Sequence, residues 1–184
     1  MKRLYNIPVK DVLYHGTIDY FTNIDLFRCK PYKDFGRGFY LAYNRTHSLK
    51  LVRKKIKYTK ANCGYLYSYP INENVFEQFI TQNRVKYFAD ADYEWLNYIL
   101  SNRAIKGVAH NYDIVIGPTA DDDMKLILNN YREGFYGFVG SIEAMRTTLN
   151  LLNPEKFGTQ MVINTELGLN VLRQDIRGEE VIHK

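Results

Sequence analysis

Four short blocks of this 184-residue chain put polar and glycine residues where a plain strand would carry neither. They are Tyr14-His15-Gly16-Thr17, Asp34-Phe35-Gly36-Arg37-Gly38-Phe39-Tyr40, the run from Tyr112 to Asp123, and Gln160-Met161-Val162-Ile163. A histidine beside a strand-end glycine is more often structural than catalytic, because one backbone hydrogen bond satisfies a neutral imidazole. Gly36-Arg37-Gly38 has turn chemistry but lacks the spacing of a dinucleotide fingerprint or a phosphate loop. Cys29, Cys63 and the four histidines make no metal-ligand spacing, and two thiols give no disulfide framework, so no metal is expected and both cysteines read as reduced.

The elements that must carry these blocks follow from periodicity. Val12 to Thr17 reads as a short apolar strand, and Phe39 to Tyr43 as a second, opened by the glycines before it. From Thr46 to Tyr58, Leu49, Val52 and Ile56 recur at three and four residues, which predicts an amphipathic helix with a basic outer face. Tyr65 to Ile71 alternates as a strand, whereas Val75 to Phe88 fits neither period. Ala91 to Arg103 reads as a helix capped by Asp92, with Trp95, Leu96, Ile99 and Leu100 in one stripe, ending near Gly107. Tyr112 to Ile116 is a buried-strand candidate stopped by Gly117-Pro118. A helix from Asp121 to Tyr131 follows, its acids suited to a helix N-terminus. A helix from Ser141 to Leu152, stopped by Pro154, and a strand from Gln160 to Asn164 complete an α+β reading in one domain spanning residues 1–184.

Composition agrees with one globular core: 46% of residues are apolar and 24% charged. No apolar run approaches the roughly 18 residues of a membrane span, and the first residues lack a secretory signal's apolar stretch, so a cytoplasmic location is expected. A formal charge of +5 favours anionic partners. The basic run Arg45, Lys50, Arg53, Lys54, Lys55, Lys57 and Lys60 holds no acid, and 16 Tyr with 10 Phe supply flat side chains for a core or for stacking. Both features lean toward nucleic acid, slightly ahead of protein, and both equally suit a solvated face and a packed core.

Taken in order, the blocks resemble the ADP-ribosyltransferase fold of the diphtheria-toxin and poly(ADP-ribose) polymerase type. The matches are His15-Gly16-Thr17, then Gly36-Arg37-Gly38-Phe39-Tyr40 followed by Ser48, then Gln160. A bacterial family of unknown function within that clan, often associated with toxins, shares the blocks at Asp34 to Tyr40 and Tyr112 to Asp122 and the Asn102-Arg103 pair. The resemblance covers about residues 10 to 172. It implies split mixed or antiparallel sheets around an NAD cleft with flanking helices. It also implies that His15 bonds an NAD ribose hydroxyl, Gly16 holds the nicotinamide amide, and Thr17 lies near the adenosine ribose. Gly38 belongs to the same binding set, Tyr40 would stack on nicotinamide, Ser48 would reach its amide, and Arg37 would approach the pyrophosphate. Asp34, Arg103, Asp121 and Asp122 match without an assigned contact.

Two positions depart from the polymerase pattern. A second stacking tyrosine aligns with Leu51, and the catalytic Glu aligns with Gln160, whose amide can orient a hydroxyl but takes no proton. The resemblance therefore implies transfer of a single ADP-ribose unit by a bacterial toxin of a toxin-antitoxin or phage-defence system, with a small antitoxin protein as a further partner. The base would come from the acceptor, from Asp121 or Asp122, or less readily from Glu166. Lys50, Arg53, Lys54 and Lys57 are the expected acceptor surface. An NAD glycohydrolase, or a non-catalytic module binding nucleotide or nucleic acid, are the alternatives.

Overall fold

The helix predicted from Leu49, Val52 and Ile56 forms over Arg45–Thr59 (α1), with Asn44 accepting from the Thr46 amide at its start and left-handed Lys60 at its end. It packs on β1 (Val12–Thr17) and β3 (Cys63–Pro70) through Val52 and Ile56. This computed structural model describes residues 7–104, 111–119, 124–152 and 158–184. The ambiguous stretch after β3 holds two elements. α2 (Glu73–Thr81) is capped by Asn72, and a left-handed Asn83 (φ 56°) ends it before β4 (Val85–Tyr87). Two periods in one window explain why neither stood out in the sequence.

Asp92 caps α3 (Tyr93–Asn102) as expected, accepting from the Trp95 amide at 2.9 Å. β5 covers Ile114–Pro118, so Gly117-Pro118 closes the strand from inside it. Pro118 is tolerated because the Thr119 amide bonds Gly158 on the β6 side, turning the missing N–H of Pro118 the other way, where β4 has already ended. α4 (Met124–Arg132), α5 (Ile142–Leu152) and β6 (Thr159–Ile163) follow. A last strand, β7 (Gly178–His183), was not legible, since Ile182 is its one buried side chain.

Among the described residues the strands form one mixed seven-stranded sheet in the order β4-β5-β6-β2-β1-β3-β7. Only β4 and β5 run parallel. The α+β class thus holds. At its centre the sheet is nearly divided: β1 and β2 share the single register pair Tyr14↔Ala42, while β1 and β3 share six. One face carries a core that crosses this seam, with Leu13, Tyr67 and Tyr69 packed beside Phe39, Leu41 and Met161. On the other face the core is two separate clusters. Val52, Ile56 and Leu66 lie under α1, and Phe35, Trp95, Val115 and Val162 lie under α3, α4 and α5. No helix among the described residues is long and apolar enough to cross a membrane.

Candidate functional site

His15 closes the seam with its side chain. Where the β1–β2 ladder lapses, its Nδ1 bonds the Tyr40 carbonyl at 2.8 Å, and the imidazole stacks on Phe39 with centroids 4.4 Å apart. A carbonyl only accepts, so Nδ1 carries the proton and Nε2 keeps a bare lone pair. Burial pushes the His15 pKa down to about 4, the Tyr40 bond opposing and the Lys55 charge adding, so the ring is neutral at pH 7. A neutral ring with a free Nε2 can accept a hydrogen bond from a hydroxyl.

The strand register sets a row across four strands: Tyr14 of β1, Ala42 of β2, Gln160 of β6 and Gly117 of β5. Gln160 is thus flanked by a methyl and by no side chain at all. It is 6% exposed, and its Nε2 has no hydrogen-bond partner. A buried amide left unmet costs about 1–3 kcal/mol. On the same sheet face lie Gly16 and Tyr40, so Gln160 stands between the two helical clusters.

Other predicted residues come to this seam with their polar atoms already engaged. Ser48 Oγ donates to the Tyr14 carbonyl at 3.1 Å, tying α1 to β1. Gly16 is required by that crossing: a Cβ there would stand 2.5 Å from Ser48 O and 2.7 Å from Val52 Cγ2. Lys55 Nζ donates to Gly16 O at 2.9 Å. Burial lowers the Lys55 pKa, Asp19 opposes this, and Lys33 and Lys30 add to it. Lys55 belongs to the basic run but not to the predicted site residues; its place three residues after Val52 sets it beside the buried stripe of α1, unlike Lys54 and Lys57. Buried Thr17 accepts from the Asp19 amide at 3.1 Å.

Tyr40 has its ring on the face opposite the His15 imidazole, so the two meet through the Tyr40 backbone alone. Its hydroxyl donates to Gly36 O at 2.9 Å and accepts from the Phe35 amide at 3.0 Å, and burial raises its pKa well above the usual value. It therefore locks the Asp34-to-Gly38 turn. Asp34, buried, binds Arg103 Nε at 2.6 Å, which joins two of the matched blocks and fixes the turn to the end of α3. Asn164 adds bonds to Phe35 O and Arg37 O at 2.8 and 2.9 Å. Gly38 lies against β6, where a Cβ would meet Ile163 O at 2.6 Å. Arg37 spends Nη1 on Phe27 O and Cys29 O, at 2.7 and 3.0 Å.

Lys50, Arg53, Lys54 and Lys57 form an exposed stripe on the outer side of α1, with Lys54 over the Tyr58 ring, and Leu51 is exposed beside them. Glu166 is exposed past the far end of β6, at the start of a 3₁₀ turn, Leu167–Val171. Asp121 and Asp122 lie outside the described residues. Asp113 of the same block is structural: buried, it takes Nε and Nη2 of Arg84 and the Thr165 hydroxyl.

The fold is thus a single mixed sheet parted at one pair, with a histidine, a lysine and an unmet glutamine amide around the parting. Residues 12–174 match the family described as Protein of unknown function (DUF3990), and the chain belongs to that family. No curated protein and no solved structure matches it.

Proposed function

We propose that this chain is a mono-ADP-ribosyltransferase that breaks the nicotinamide glycosidic bond of NAD and hands the ADP-ribosyl group to a macromolecule. The observation that carries the reading is Gln160: a buried amide nitrogen without a partner, between two minimal neighbours, at the parting of the sheet. A buried donor without a protein partner is met by a ligand or a water, and of the orphaned atoms this one stands at the parting of the sheet. In the reaction, nicotinamide departs with the bond's electron pair, leaving an oxocarbenium-like ribose. The acceptor's nucleophile then forms the new bond to that carbon and loses its proton. The Gln160 amide donates to a ribose hydroxyl and so orients the sugar on the sheet face that also carries the Tyr40 ring, while the His15 imidazole, on the opposite face, holds the Tyr40 backbone in place through its carbonyl. An amide takes no proton, so the acceptor's proton goes to solvent or to a carboxylate. The rigid turn around Tyr40 holds its ring in one orientation for stacking. A bacterial cytoplasmic toxin restrained by a small cognate protein is the setting that the family resemblance supports.

The test is incubation of the purified chain with labelled NAD and a cell lysate, followed by nuclease or protease digestion. Label released by nuclease is the expected result, with Lys50, Arg53, Lys54 and Lys57 as the acceptor surface. Nicotinamide release with all label in free ADP-ribose would instead mean NAD hydrolysis, and no nicotinamide release would mean a binding module.

A further inference from the structure

A second concentration of positive charge lies beside the turn that Asp34 to Gly38 forms. Tyr32 and Lys33 of the turn before β2, Arg103 at the end of α3, and Lys125, Asn129 and Arg132 of α4 line an open cleft of about 290 Å³. Two of its cations are held in place by protein acceptors. Arg103 is fixed by Asp34, and Arg132 Nη2 donates to Leu100 O at 2.9 Å. Lys33 and Lys125 are exposed and, among the described residues, form no ion pair. Asp121 to Asp123, which precede α4 in the sequence, lie outside the described residues. The rim carries a strained residue: Tyr32 has φ 58°, a left-handed backbone that a tyrosine rarely adopts, and the residue is 51% exposed.

Four cations and one carboxamide around a small hollow suit a phosphate, whose oxygens take several charge-assisted bonds at once. Among the described residues the one carboxylate paired with a cation of the cleft, Asp34, is spent on Arg103. A hollow of that size holds one nucleotide unit, and an exposed tyrosine at the rim can stack on a base. We propose that this cleft binds one phosphate-bearing nucleotide unit, either free or within a single strand. The inference does not depend on NAD chemistry at the seam.

The test uses the full chain without NAD and three probes: AMP, adenosine and a fluorescent penta-uridylate, titrated at two or more salt concentrations. The chain binds AMP more tightly than adenosine. Replacing both lysines, in the K33Q/K125Q double variant, weakens AMP and penta-uridylate about tenfold or more. It also lowers the salt slope for penta-uridylate by about 1.4, roughly 0.7 for each cation removed. Among the described residues neither lysine side chain makes a hydrogen bond or ion pair, so thermal unfolding stays at the wild-type temperature. Tighter binding of penta-uridylate than of AMP identifies a single strand as the source, and equal affinities identify a free nucleotide. The proposal is overturned if neither phosphate probe binds, if adenosine binds as well as AMP, or if K33Q/K125Q leaves both affinities unchanged while K50Q/R53Q on α1 weakens them.

Discussion

The His15 imidazole does at the seam what a main-chain amide does elsewhere in the sheet: it satisfies the Tyr40 carbonyl. That role ties its protonation to stability. The folded-state pKa of about 4 lies below the ordinary 6.5, so the unfolded chain binds the proton first. The contribution is therefore complete above pH 6.5 and is lost as pH falls toward 4, at most about 3 kcal/mol. Urea unfolding of the wild type and of His15→Gln at several pH values between 6.5 and 5 should show a gap that narrows as the pH falls; a constant gap would show that the ring is not buried neutral. Gln160 invites the opposite trade. Gln160→Met keeps the volume and removes the unmet amide, so the fold should gain about 1 kcal/mol in denaturant unfolding. Nicotinamide release should meanwhile drop on the order of 10²-fold, as for a lost donor in a preorganised site. A variant that is both more stable and fully active would remove Gln160 from the mechanism. Gln160→Glu should retain NAD binding and raise the yield of free ADP-ribose, because a carboxylate can assist water.

Among elements, the tightest crossing is α1 over β1 and β3. Gly16 faces Ser48 O and Val52 Cγ2, and a Cβ at Gly64 would stand 2.5 Å from Val52 Cγ1 and 2.9 Å from Thr17 O. Alanine at either place should cost about 1–3 kcal/mol or more. Shortening Val52 to Ala should recover part of the loss in Gly64→Ala but little in Gly16→Ala, where the nearest atom is backbone; thermal unfolding of the single and double variants reads the difference. The helix itself was legible in Leu49, Val52 and Ile56, as α3 was in its Trp95 stripe and its Asp92 cap, because each keeps one period over many residues. β1 was legible as an apolar run. β7 was not, since Gly178-Glu179-Glu180 opens it without an apolar rhythm. Of the site, sequence could name His15, Gly16, Tyr40 and Gln160 by type and order. It could not show that the pairing of β1 with β2 sends the His15 and Tyr40 rings to opposite faces, or that Gln160 falls in one row with Ala42 and Gly117. Those facts depend on register, which only the assembled sheet fixes.

For the whole molecule, the sheet is continuous in its core on one face and parted on the other. A ligand seated in the parting should therefore slow amide exchange at Gly16, Thr17 and Tyr40 while leaving the β5–β6 pair unchanged. Hydrogen-exchange mass spectrometry with and without NAD reads this directly, and uniform protection across both halves would argue against a site at the seam. The outer edge has its own consequence. β7 covers β3 along six register pairs, from Cys63 to Ser68, and offers solvent Glu179 and Glu180 in place of the strand with Tyr65 and Tyr67 beneath it. A chain shortened before Gly178 exchanges a charged border for a tyrosine-rich one with unpaired amides and carbonyls, a template on which further copies can add strand to strand. Its solubility limit, read by light scattering against concentration, should fall well below that of the intact chain, and β7 then counts as the strand that keeps the protein from polymerising on itself.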